Sequence, residues 1–112
     1  MSSTYQILKS ALLNRKPVIF TYGKHERHVC PHVLGWSDGE EQCLAYQFDG
    51  GSSQTLKRDG DPENFRCLEV AKMSGARIVE NGQWHTSDDR LNAEQTCVDR
   101  IDVSQPSGRF SI

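Results

Sequence analysis

The chain has 112 residues, 36% hydrophobic and 25% charged, with a formal net charge of −2. That suits one soluble domain able to bury its own core, and it argues against a disordered chain. It also excludes a general electrostatic pull toward nucleic acid. No apolar run approaches the roughly 20 residues of a membrane span. The opening MSSTYQILKS lacks the basic region and apolar stretch of a secretion leader, so a cytoplasmic location with no membrane contact is expected.

A helix is expected first. Ser2 or Ser3 suits its N-cap, and residues 4–14 place Tyr5, Leu8 and Leu12 on one face with Ala11 beside them. Asn14 and Arg15 suit the end, and Pro17 prevents continuation. A helix of about three turns is too short to persist alone, so it must pack on something. Val18–Tyr22 has the β-branched and aromatic make-up of a strand. A connection at Gly23–Glu26 leads into a second strand from Arg27 to Trp36. Pro31 cannot donate to a ladder and marks an edge or a bulge there. Asp38-Gly39 signals the next turn. The third strand, Gln42–Phe48, puts Leu44, Tyr46 and Phe48 on one face and Cys43, Ala45 and Gln47 on the other.

Residues 49–63 are rich in glycine and aspartate and read as a loop, without the spacing or lysine of a phosphate-binding loop. Phe65–Val70 is a fourth strand, broken by Ser74-Gly75. Asn81-Gly82 is a turn signal between Arg77–Val79 and Gln83–His85. Thr86–Asp89 suits the cap of a helical turn through Ala93. The stretch around Cys97, Ile101 and Val103 reads as a last strand, with helix as the alternative, and residues 105–112 read as a tail. One helix followed by five or six short strands leads to a mainly β fold, a small SH3-like barrel in a single domain over residues 1–104.

The charge is uneven. Residues 1–32 carry five lysines and arginines against one acid, a local charge of +4, together with His25, His28 and His32. Such a bias can attract an anion or simply form a solvated face. Cys30, Cys43, Cys67 and Cys97 are 13, 24 and 30 residues apart, which is neither zinc-knuckle nor redox-pair spacing. They are expected as thiols packed in the core. His28, Cys30 and His32 share a strand face by period two, but no fourth metal ligand is evident, so neither metal nor cofactor is expected. No signature of nucleophilic or metal hydrolysis occurs, and the expectation is a protein that is not an enzyme.

Tyr22, Arg27, His32, Tyr46 and Arg66 form the candidate ligand-binding set, each within or at the end of an expected strand. Arginine forks suit phosphate or carboxylate, and tyrosine and histidine offer stacking faces with polar tips. Together they suit an anion with a flat part, such as a nucleotide or single-stranded nucleic acid. The competing reading pairs both arginines with local acids and packs both tyrosines in the core.

The order of these segments resembles the opening of a WYL domain. A helix with a basic end, Ile7 to Arg15-Lys16, leads into Pro17-Val18-Ile19-Phe20-Thr21-Tyr22. A turn follows, then Arg27-His28-Val29-Cys30-Pro31-His32. After Asp38-Gly39, Gln42-Cys43-Leu44 replaces the name-giving triplet, of which only Leu44 survives. Asn64–Glu69 takes the place of a later strand with a Phe-Arg-Leu pattern. The resemblance covers residues 4–73 and implies an SH3-like (Sm-like) barrel. It also implies a bacterial ligand-sensing or regulatory module, with Tyr22, Arg27, His32 and Arg66 at ligand-groove positions; Tyr46 is added from its strand position. Such domains often follow a DNA-binding winged helix; no such segment precedes this one, so a stand-alone module for a nucleotide-like or other anionic ligand is expected. The alternative is a protein-interaction module, with dimerisation through an exposed strand as one route.

Overall fold

The computed structural model describes residues 2–52, 55–87 and 95–105. Helix α1 (Ser3–Asn14) starts where the Ser2 hydroxyl oxygen accepts the Tyr5 N–H at 3.1 Å. It ends at Arg15, whose left-handed backbone (φ 54°) turns the chain toward Pro17. Tyr5, Leu8, Ala11 and Leu12 are buried as the periodicity requires. Each buried leucine contributes about 2 kcal/mol by leaving water, which fastens a helix too short to stand alone.

Six strands follow: β1 (Val18–Tyr22), β2 (His25–Ser37), β3 (Glu40–Gly50), β4 (Phe65–Glu69), β5 (Met73–Ile78) and β6 (Arg100–Ser104). All described pairings are antiparallel, in the order β4-β3-β2-β1-β5, with β6 also on β2. A 3-10 turn at Val70–Lys72 carries the chain from β4 to β5 and back beside β1. The fold is therefore the expected mainly β, small SH3-like barrel with an N-terminal helix, although β2 and β3 are long rather than short.

The length of β2 lets it serve two partners along one edge. His25–Val29 pairs with β1, and Val33–Trp36 pairs with β6. Pro31 falls in the interval between these partners on that edge, and on the other it lies opposite Ala45 of β3. The register with β3 slips between Pro31 and Val33, so the proline marks a bulge. β6 crosses so close to β2 that a Cβ at Gly35 would overlap the Arg100 carbonyl oxygen.

Several expectations give way. Ser74-Gly75 does not end a strand but lies inside β5, opposite a register slip between Ile19 and Thr21. Gly75 has φ 64°, so the turn signal is absorbed as a bulge. Residues 83–85, beyond the Asn81-Gly82 turn signal, have no regular secondary structure and lie against the sheet, Trp84 on His32 and His85 on Phe48. The helical turn expected through Ala93 falls outside the described residues. Gln105, expected in the tail, is buried: its backbone N–H donates to the His32 carbonyl at 2.6 Å, and its Nε2 donates to the Leu12 carbonyl at 2.9 Å.

The cysteines need the largest correction. Cys67 and Cys97 form a disulfide, with Cα atoms 5.6 Å apart, rather than two thiols. Spacing hid this pair, because the barrel brings the residue before β6 against β4 only after folding. Cys30 and Cys43 are free and buried, and burial pushes both thiols up to about 12, which makes them inert.

The sheet has two packed faces. The inner face joins α1 through Val18, Phe20, Val29, Leu34, Cys43, Ala45 and Leu68. The outer face holds a smaller cluster of Val33, Leu44 and Val98, with Phe65 and Cys97 against it.

Candidate functional site

Strand alternation decides where each candidate residue goes. Arg27 is two residues from Val29 on β2, Arg66 two from Leu68 on β4, and Tyr22 two from Phe20 on β1. All three therefore belong to the inner face, toward one end of the barrel. The Arg27 guanidinium lies over the Tyr22 ring at 4.8 Å, a cation–π contact. The Tyr22 hydroxyl accepts the Glu69 backbone N–H at 3.1 Å, fixing the ring that Arg27 covers.

Both arginines are buried, at 6% and 7% exposure. Arg66 donates from Nε to the Ser52 hydroxyl at 3.2 Å, and from Nη1 to the carbonyls of Glu63 and Phe65 at 2.6 and 3.2 Å. Among the described residues no carboxylate pairs with either guanidinium. Burial lowers the pKa of each; the Tyr22 oxygen opposes this at Arg27, while the charge of Arg27 lowers Arg66 further. Both still carry their charge at neutral pH. Among the described residues, the buried side-chain nitrogen and oxygen atoms without a hydrogen-bond partner are Arg27 Nε, Arg66 Nη2 and Gln47 Oε1. All three belong to the inner face of the adjacent strands β2, β4 and β3.

His32 and Tyr46 do not join this group. His32 is the bulged residue of β2, and Tyr46 faces outward with Leu44. His32 stacks on Trp84 at 5.0 Å between ring centroids and meets the Phe65 ring edge-on at 5.2 Å. Its Nδ1 is 2.7 Å from the Cys30 carbonyl, which only accepts, so Nδ1 carries the proton. Nε2 then accepts from the Thr86 hydroxyl at 2.8 Å. Burial pushes the pKa of His32 down to about 4, the Cys30 carbonyl opposing and Arg15 adding.

Tyr46 is equally occupied. Its hydroxyl donates to Asp59 Oδ1 at 2.8 Å and accepts from the Gly60 N–H. Asp59 Oδ2 lies 2.9 Å from His85 Nδ1, and the His85 ring stacks on Phe48. Burial raises the pKa of Asp59, but the bonds from His85 and Tyr46 outweigh it and the carboxyl titrates low. This network holds the 57–64 loop and the 82–87 segment onto the outer face. His28 bonds Glu26 and meets the Phe48 ring edge-on.

The candidate set thus divides. Tyr22, Arg27 and Arg66 gather at the inner mouth, and His32 and Tyr46 belong to an aromatic layer behind the sheet. Gln47 and Ser52 were missed. The available signal for Gln47 was a polar residue on the face that Cys43 and Ala45 share; Ser52 is in a loop and carried none. Trp84 lies beyond the Asn81-Gly82 turn signal, and its stacking on His32 depends on a crossing the sequence does not mark.

Comparison with known proteins adds no relative: no family model matches the chain, and neither does any curated protein or solved structure. Among the described residues no helix is long and apolar enough to cross a membrane.

Proposed function

We propose that this protein is a binding module for an anionic ligand, of the WYL-like kind its sequence resembles, and that the ligand is held at the inner mouth by Arg27 and Arg66 with Tyr22. One observation carries the reading: two neighbouring buried guanidiniums have no carboxylate partner among the described residues, and each keeps a buried N–H without an acceptor. A buried, unpaired donor costs about 1–3 kcal/mol, and like charges add to that cost. An anion between the two forks satisfies both donors and cancels the repulsion. The Tyr22 ring, fixed through Glu69 and already paired with a cation, offers a flat surface beside the charge, which suits a nucleotide-like ligand.

A thermal-shift screen of nucleotides and short single-stranded oligonucleotides tests the proposal. A ligand bound only by the folded state raises the melting temperature by mass action. Arg66→Ala abolishes the shift, and a screen in which no anion stabilises the protein removes the proposal.

A further inference from the structure

Gln47 is fully buried on β3, beside the two arginine strands. Its register partner on β2 is Val29, two residues from Arg27, and Ala45, two residues before it, pairs with Arg66 on β4. The orientation of its amide is fixed. Nε2 donates to the carbonyls of Asp49 at 3.0 Å and Gly51 at 2.9 Å, using both of its hydrogens. A flipped amide would set an oxygen against two carbonyl oxygens, so Oε1 must be the atom on the other side. That oxygen has no donor, although it is buried with two donors of the same face that have no acceptor.

An oxyanion without protons answers the arginines but not Gln47: every atom it offers is an acceptor. An anion that keeps one hydroxyl answers all three. We infer that Gln47 is a specificity-determining residue of the anion site, selecting a phosphate group that retains a P–OH over anions of the same size and charge that have none. The inference rests on the anion-binding reading above and narrows it, favouring inorganic phosphate or a monoprotonated terminal phosphate over a phosphodiester backbone. Rejection follows from the unmet acceptor, because a site built around a substrate hydroxyl discriminates strongly against an analogue lacking it.

Inorganic phosphate and sulfate in mildly alkaline, low-salt buffer provide the clean pair. Both are dianions of similar shape, and only phosphate keeps a proton there. Calorimetric titration of the wild-type protein is expected to give at least about tenfold tighter binding of phosphate. Gln47→Leu is expected to weaken phosphate to the level of sulfate and leave sulfate unchanged. Arg27→Gln, which removes the anion contact, is expected to abolish both. AMP distinguishes the sources: if a nucleotide is the ligand, AMP binds more tightly below its second phosphate pKa than above it, whereas binding of inorganic phosphate alone points to the free ion. Equal affinities for phosphate and sulfate in the wild type overturn the inference and leave the anion site standing. Binding of neither, with AMP also silent, overturns both. Phosphate binding that survives Arg27→Gln places the ligand elsewhere and also overturns the inference; the wild-type comparison stands should a variant not fold.

Discussion

The two faces of the sheet bury polar side chains to the same degree and treat them oppositely. Behind the sheet, each ring nitrogen of His32 has a partner and the Tyr46 hydroxyl has several. At the inner mouth, Arg27, Arg66 and Gln47 each leave a buried atom unpartnered. A satisfied network fixes a structure, whereas a buried donor without an acceptor is a standing cost that a ligand can offset. Burial alone would rank His32 and Arg27 together; hydrogen-bond completeness separates them.

The largest expected effect breaks the outer face. The Cys67–Cys97 bridge closes a loop of sequence separation 30, and its removal by reductant or Cys97→Ser is expected to cost about 3–4 kcal/mol. Urea midpoints measure this, and the inner-face anion response is expected to persist once folding is allowed for.

Acid acts next, again on the outer face. His32 binds its proton less readily in the folded state, with its pKa lowered from 6.5 to about 4. Its contribution is complete above the unfolded value and is lost as pH falls through that interval. The loss amounts to at most about 3 kcal/mol. Urea unfolding across the interval follows it, and replacing His32 by Gln is expected to flatten the acid limb. Tyr46→Phe comes third: it removes the hydroxyl shared by Asp59 and Gly60 and is expected to cost about 2 kcal/mol, with anion binding unchanged. The smallest stability effect belongs to the inner mouth. Arg27→Met is expected to change the stability of the ligand-free protein by less than about 1 kcal/mol, or to raise it, while abolishing the anion response.

Much of the barrel was legible because its signals are local. Ser2, Pro17 and Asp38-Gly39 mark ends that the structure keeps, and the alternation of β3 placed Tyr46 and Gln47 on opposite faces. The bulge at Gly75 imitates a turn, because a left-handed glycine serves both. The disulfide, the crossing of residues 82–87 and the partners of His32 depend on contacts far apart in sequence, and periodicity is silent about these. The division of the candidate site residues between two faces has a different, local origin. Arg27 and Arg66 share an inner face, while His32, an odd number of residues from Arg27 along β2, falls behind the sheet by alternation alone. Residue type suggested ligand chemistry for all five, and it outweighed the strand alternation that divides them.

The most direct test watches both faces of one sample. Nitrogen-15 NMR resolves the arginine Nε–H groups of Arg27 and Arg66 alongside the Trp84 indole that stacks on His32. Addition of inorganic phosphate is expected to move the two arginine signals together, saturably, and to leave the indole in place. Arginine signals that stay fixed while the indole moves would contradict the account, putting the ligand on the face whose hydrogen bonds are already complete.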